Sequence, residues 1–543
     1  MLNKILNLFH KIQYEIKILL LFRNLFRLNQ NNKGFILADR CDSLSYWHLT
    51  TAIGAALIAK AFEAKILFLR ENKPLREPPD WFVFRFGLTS STLKMNKITK
   101  RKNDLICQAT EAIFSNLKHP SDILKIKYRG LLIGPEIYDE VLNHRVASVK
   151  VVGQGVKDAI KKAVSTVESI NTICERYPIV AACCTHTKCA FDGIWIRVLL
   201  AKKIPVYQAL GGLGSVLKLG CENKNGTFKI QHHCRPPKAL VEQAQKKLLN
   251  EAKNFLKNRY QGDSFDWDAK AAFNKNKKFY TSKKEFCKNY RIPSEKKIVF
   301  VMLHAFSDGP HTKGLTMFID FYHWFLFTLS RAAQIKNVHW VFKSHPRRSN
   351  YPDDCDIEHE ISLFNYPNVS FLSSDKINAA CIKNIADGIV TAAGTAGVEY
   401  PCFGIPSLIC CENGYHGFGI CSESATRKEY EKKLQKIAKK SKATSKNRKL
   451  QNKALIIFYL MHDLIKKEFT NGIFNLKGND EAINMKPIEA IEILLEIQKN
   501  KEQQNALKQK IKNLCEKIKL TARSQKSILI LNWQDNYKMY PHN

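Results

Sequence analysis

Three short segments concentrate side chains able to bind an anion and move a proton. They are His304-Ala-Phe-Ser-Asp308, Lys343-Ser-His-Pro-Arg-Arg348, and the run from Asp387 through Thr391-Ala-Ala-Gly-Thr-Ala-Gly-Val-Glu399 to Gly404-Ile-Pro406. Lys343, His345, Arg347 and Arg348 can neutralise a monophosphate or diphosphate, arginine through paired hydrogen bonds and lysine as a point charge. Gly394 and Gly397 bracket Thr395 at a turn that leads into a helix. A helix N-terminus behind small residues offers free N–H groups and the positive end of a dipole, which suits a phosphate. Glycine lets a ligand approach the backbone closely. Glu399, in the first turns of that helix, is placed to accept hydrogen bonds from sugar hydroxyls. A tight structural turn explains the glycines equally well, because a lone glycine turn is a weak motif.

Such residues need elements to hold them, and the hydrophobic pattern supplies these. Lys296–Leu303, Val338–Phe342, Val369–Leu372 and the strand ending at Ile389-Val390 read as buried strands, with an aromatic helix over about 317–336. In an open α/β sheet, the three chemistry-bearing segments at their tips converge on one edge. An earlier part of the chain repeats the arrangement. Strand Gly34–Asp39, helix Trp47–Phe62 and strand Ala64–Leu69 form a βαβ unit, which implies a parallel sheet. Asp39, Asp42 and His48 then lie at a strand edge. Gly130–Asp139 reads as a further strand ending in a polar turn, and Ile179–Cys184 as another, followed by Thr185-His-Thr187. Residues 235–290 read as the helical connection between two lobes. After residue 425 the chain reads as strongly basic helices.

The expected architecture is therefore α/β, with two Rossmann-like domains facing across a cleft and helical additions at both ends. The domain ranges are 1–30 (a basic amphipathic helix), 31–275, 290–424 and 425–543. Residues 1–30 place Leu2, Ile5, Leu6, Phe9, Ile12 and Ile16 at helical spacing among Lys4, Lys11, Lys17, Arg23 and Arg27. This pattern suits either an anionic membrane surface or packing on the following domain.

The 543 residues carry a formal net charge of +37, so acidic partners are favoured. The sixteen cysteines include no Cys-x-x-Cys pair, which argues against a zinc ribbon or a thioredoxin-like site. Cys183, Cys184, His186 and Cys189, or His232, His233 and Cys234, could form a metal cluster, but neither group has a second half with ligand spacing. No metal site is expected. No apolar run approaches the ~18–20 residues of a membrane span.

Lys343-Ser-His-Pro346, Thr391–Glu399 and Gly404-Ile-Pro406, in this order and spacing, resemble the bacterial capsule polysaccharide biosynthesis glycosyltransferases. These include relatives that add the acidic sugar Kdo and the wider GT-B sugar and glycerophosphate transferases. His304–Asp308 and Gly130–Asp139 also look like segments of such proteins, so the resemblance spans roughly residues 34–430. Pro401 departs from the pattern and shortens or kinks the helix after Glu399.

The resemblance implies a GT-B fold, with a nucleotide-sugar donor in the second domain and a glycan or glycolipid acceptor in the first. CMP-linked sugars are among the candidate donors. It implies an inverting, metal-independent transfer in the cytoplasm, peripheral to the inner membrane, with no nucleic-acid partner. His304, Ser307, Lys343, His345, Arg347, Gly394, Thr395, Gly397 and Glu399 would bind the donor, Glu399 at the ribose. Asp139 or Asp42, then Asp308, would be the base, although a strand-tip aspartate also serves simply to cap a turn. A sugar-nucleotide epimerase shares the fold. A teichoic-acid-type glycerophosphotransferase and a non-catalytic basic binding protein are further alternatives.

Overall fold

The computed structural model describes residues 34–39, 46–70, 90–94, 99–209, 216–219, 222–224, 227–229, 235–236, 238–262, 267–437, 448–464, 500–523, 528–531 and 538–541. The expected helix over 1–30, Asp42 and the His232–Cys234 group lie outside these residues. So does the side chain of His48.

Two sheets organise the chain. The first contains β1 (Phe35–Ala38), β2 (Lys65–Arg70), β3 (Ser90–Lys94), β4 (Ile179–Cys184), β5 (Val206–Ala209) and β6 (Val216–Lys218). The second contains β7 (Lys297–Met302), β8 (Val338–Lys343), β9 (Val369–Leu372), β10 (Gly388–Val390), β11 (Ser407–Ile409) and β12 (Ser422–Glu423). Its order is β9-β8-β7-β10-β11-β12, and every pair is parallel. That is the Rossmann order 3-2-1-4-5-6. The first sheet follows the same order, β3-β2-β1-β4-β5-β6, parallel as far as β5 and antiparallel at β6. Parallel strands require crossover connections and are covered on both faces. Consistent with this, every residue of β8 is buried, as are the four central residues of β7. The molecule thus has two Rossmann-like domains.

The helices that cover the sheets follow their apolar spacing. In α2 (Gln154–Arg176), Val156, Ala159, Ile160, Ala163, Val164, Val167 and Ile170 form one buried stripe. In α3 (Phe321–Ala333) the helix starts later than the pattern suggested. Asp320 caps it by accepting from the His323 amide at 2.8 Å.

The 130–139 segment is a correction. Only Leu131–Leu132 is strand, in a small hairpin with Lys127–Tyr128, and α1 runs over Gly134–Leu142. Pro135 in the first turn favours helix. Gly134 fits there because a Cβ would lie 2.0 Å from the Ile123 carbonyl oxygen. Asp139 is therefore helical and does not sit at a strand tip.

The chain after residue 425 also contains strands. Residues Ile528–Leu531 (β13) and Lys538–Pro541 (β14) add to the first sheet at β6, antiparallel. The helix Lys501–Thr521 reaches the same domain, where Tyr207 Oη donates to the Ile518 carbonyl at 3.0 Å. The basic helix Arg427–Ile437 instead buries Tyr430, Leu434 and Ile437 in the second domain. Among the described residues no helix is long and apolar enough to cross a membrane.

Candidate active site

In the second sheet β7 and β10 are neighbours, yet the connections leaving them diverge to opposite sides. At such a switch point a crevice opens beyond the strand ends. His304 follows β7 and Thr391 follows β10, and the two tips are wired together. His304 Nε2 accepts from the Ala393 amide at 3.0 Å. Thr391 Oγ1 donates to the Met302 carbonyl at 3.1 Å and accepts from the Gly394 amide at 3.2 Å. The His304 ring stacks on Phe321 at 4.2 Å. Because Nε2 accepts, the ring is neutral with its proton on Nδ1. Burial holds its pKa well below the usual histidine value, and Lys313 and His345 add to that. No described residue accepts from Nδ1–H.

His345 follows the same logic. Its Nδ1 accepts from the Arg347 amide at 3.3 Å, so Nε2 carries the proton. Burial, then Lys313 and Lys343, push its pKa down to about 3. Two neutral imidazoles thus present N–H donors beside the Lys313 ammonium. Arg347 reaches Asn350 at 3.2 Å and Asp268 at 3.6 Å. Ser307 Oγ lies 3.5 Å from the Tyr351 carbonyl.

Lys343 is placed differently. It is 1% exposed, and its Nζ approaches the Ser344 carbonyl at 3.4 Å. Burial, then the neighbouring Lys277, lower its pKa to about 7. It sits beneath the strand tip and is closed off from the crevice. Arg348 is a brace that donates to Asp353 Oδ1 at 2.6 Å and to the Cys355 carbonyl.

Asp308 is held by two lysines, Lys313 from its own loop and Lys188 from the first domain at 3.2 Å. Burial alone would raise its pKa, but the two ammonium groups outweigh that and hold it far below the carboxylate range. A carboxylate so committed is a weak base.

Asp139 reaches the site from α1. Its Oδ1 accepts from His311 Nδ1 at 2.6 Å, and its Oδ2 from the Thr312 amide and hydroxyl, each at 3.2 Å. Beside it, Tyr138 Oη and Ser148 Oγ donate to Asp320 Oδ2 at 2.7 and 2.6 Å. Asp354 accepts from the Ala147 amide at 2.8 Å. The first domain is thereby docked on the loop that carries His304, Asp308 and Lys313. At the switch point of the first sheet, Thr185 Oγ1 donates to Asp39 Oδ2 at 3.1 Å and lies 3.1 Å from His186 Nδ1.

The glycine turn has packing reasons of its own. A Cβ on Gly397 would meet Tyr415 Oη at 2.2 Å, and one on Gly394 would meet Thr391 Oγ1 at 2.8 Å. Thr395 is the N-cap position of one α-turn, Ala396–Glu399, followed by a 3-10 turn, Tyr400–Phe403. Pro401 has no N–H to give the Gly397 carbonyl, and Ser407 Oγ donates there instead at 2.7 Å. Gly404 closes the turn at φ +76°, the left-handed conformation expected of it. Glu399 faces away from the crevice tips. Its Oε1 accepts from Arg259 Nε at 3.1 Å, and both side chains are almost fully buried.

Sequence reading missed Lys188, Lys313, His311 and Arg259. His311 was within reach, since it follows Gly309-Pro310 in the same loop as His304. Lys188 directly follows the Thr185–Thr187 tip. Cys183 and Cys184 are fully buried strand residues whose thiol pKa values burial raises, and they pack as small hydrophobes.

No family model matches the sequence, and no curated protein matches it. Solved structures do align. The glycosyltransferase from Rickettsia africae ESF-5 shares 12% identity over 86% of this chain and 100% of its own, with a TM-score of 0.28. The Thermosulfurimonas dismutans KpsC β-Kdo 2,4 transferase shares 12% over 52% and 79%, with a TM-score of 0.31. The Neisseria meningitidis UDP-GlcNAc 2-epimerase, bound to UDP-GlcNAc, shares 11% over 79% and 96%, with a TM-score of 0.24. Values of this size assign no activity to this chain, and its function is argued from its own residues.

Proposed function

We propose that this chain is a glycosyltransferase that moves a sugar from a nucleotide-activated donor to a glycan or glycolipid acceptor. The observation that carries this reading is the convergence at the β7/β10 switch point. There, two neutral imidazole N–H donors, His304 and His345, stand beside Lys313, which shares Asp308 with Lys188; among the described residues these two ammonium groups pair with no other carboxylate. A departing nucleotide phosphate brings negative charge to this point. It would draw the two ammonium groups from Asp308 and accept from both imidazoles. Transfer would be inverting and would use these cations in place of a metal ion.

The test is a thermal-shift panel of CMP, UDP, GDP and CDP on the whole chain and on Lys313→Ala. One nucleotide is expected to stabilise the unmutated protein and to lose most of that effect in the variant. Equal responses would remove the switch point as the donor site. Incubating the matching nucleotide sugar without acceptor separates transfer from epimerisation, which alone yields an isomerised sugar nucleotide. The basic stretch 1–30 is proposed to hold the enzyme at an anionic membrane surface. Deleting it should release the protein from anionic vesicles, and unchanged binding would refute that role.

A further inference from the structure

The Asp139–His311 pair joins the two domains, and its geometry goes beyond what joining needs. Asp139 Oδ1 accepts a hydrogen bond from His311 Nδ1–H at 2.6 Å, and Thr312 holds Oδ2 through two hydrogen bonds. This fixes the tautomer and leaves a lone pair on Nε2. The Tyr138 ring meets the imidazole edge-on at 5.2 Å and fixes its plane. Nε2 is shielded from solvent and has no hydrogen-bond partner among the described residues. A buried ring nitrogen left unpaired is costly and calls for a reason. An imidazole oriented by a carboxylate, with its other nitrogen unpaired, is the arrangement of a general base.

The pair also adjoins the cation cluster. Gly309 lies between them, its Cβ direction 3.4 Å from Asp139 Oδ2 and 3.7 Å from Lys188 Cδ. His311 belongs to the loop that carries His304, Asp308 and Lys313, on the side facing the first domain.

We propose that His311 is the general base of the transfer and that Asp139 is its positioning residue. The assignment rests on the glycosyltransferase reading. In the step, the acceptor hydroxyl gives its proton to His311 Nε2 as its oxygen bonds to the anomeric carbon. The bond from that carbon to the donor phosphate oxygen breaks, and its electron pair leaves on the nucleotide. Asp139 stabilises the imidazolium, which passes its proton to solvent after product leaves. Asp139 is poorly suited to be the base itself, since both its oxygens are engaged.

The charges around His311 set the pH dependence. Burial alone would lower its pKa. The charge and hydrogen bond of Asp139, with the charges of Glu136 on α1 and Asp320 at the start of α3, together outweigh burial, so the net direction is upward. The base must be neutral to act, so the rate should rise with pH through this raised value.

The experiment measures nucleotide release by the whole chain from UDP-GlcNAc, CMP-N-acetylneuraminic acid and GDP-mannose against pH, with nucleotide affinity by calorimetry. His311→Gln is expected to lower kcat about a hundredfold or more, leave nucleotide affinity within about twofold, and abolish the acid limb. Asp139→Asn should move the limb to lower pH. Lys150→Ala, which removes a domain–domain ion pair and leaves the dyad alone, should keep the original profile. If His311→Gln does not fold, Asp139→Asn decides. A limb that stays in place in Asp139→Asn, or a kcat unchanged in His311→Gln, would overturn the proposal and leave the pair as a strut. If no nucleotide is bound at all, the glycosyltransferase reading fails, and the base assignment goes with it.

Discussion

Arg259 and Glu399 form an ion pair, Nε to Oε1 3.1 Å, with side chains only 4% and 7% exposed. Arg259 comes from the connecting helix Leu249–Tyr260, where its guanidinium also lies 5.1 Å from the Phe458 ring. The pair fastens the inter-domain helices to the turn that carries the candidate phosphate cradle. Removing one partner strands a buried charge, so Glu399→Ala should cost about 3–5 kcal/mol in denaturant unfolding. A paired Arg259→Leu, Glu399→Leu change should recover most of that loss. If Glu399→Ala instead leaves stability intact and weakens nucleotide binding, the carboxylate is a ligand contact.

Ser407 stands in for the N–H that Pro401 lacks. Its hydroxyl reaches the Gly397 carbonyl at 2.7 Å, and Ser407 is itself buried. Ser407→Ala leaves that carbonyl unsatisfied and should cost about 1–3 kcal/mol. Adding Pro401→Ala restores an amide at that position and should suppress part of the loss. Additive losses in the double variant would refute the exchange.

Asp308 should make the protein acid-sensitive. Its folded pKa is depressed, because Lys313 and Lys188 outweigh burial. Its contribution is therefore complete above the unfolded value of about 3.9 and is lost as pH falls below it. Asp308→Asn should lower stability at pH 7 and flatten the decline below about pH 4. By freeing two ammonium groups, it should also tighten binding of the nucleotide found in the panel and steepen its salt dependence.

Lys343 works in the opposite sense. Burial lowers its folded pKa to about 7. Between that value and its unfolded value of about 10.4 the unfolded chain binds the extra proton, so stability rises with pH across the window. Lys343→Met should stabilise the protein at pH 6–7, and the difference should shrink as pH approaches about 10. A variant less stable at neutral pH would show that the ammonium has a stabilising partner.

The sequence by itself determined the central strands near 34–39, 64–69, 179–184, 297–302, 338–343, 369–372 and 388–390, and the segments that follow them; the edge strands at 90–94, 407–409 and 422–423 and those after residue 425 were not legible. Buried runs such as Ile298–Val301 can only pair inside a sheet, and alternating strands and helices force that sheet to be parallel. His304, His345 and Thr391 were therefore legible as neighbours. The path of 130–139 was misjudged because Leu131, Leu132 and Ile133 mimic a strand until Pro135 starts a helix.

Only the tertiary structure decided which charges meet. Lys343 and Glu399 read as ligand contacts, but one is closed beneath its strand tip and the other is paired with Arg259, 140 residues away. Asp139 meets His311 across 172 residues. Local propensity acts over a few residues, whereas an ion pair depends on where two distant backbones are brought. That placement comes from packing two sheets and their connecting helices together, and no spacing along the chain encodes it.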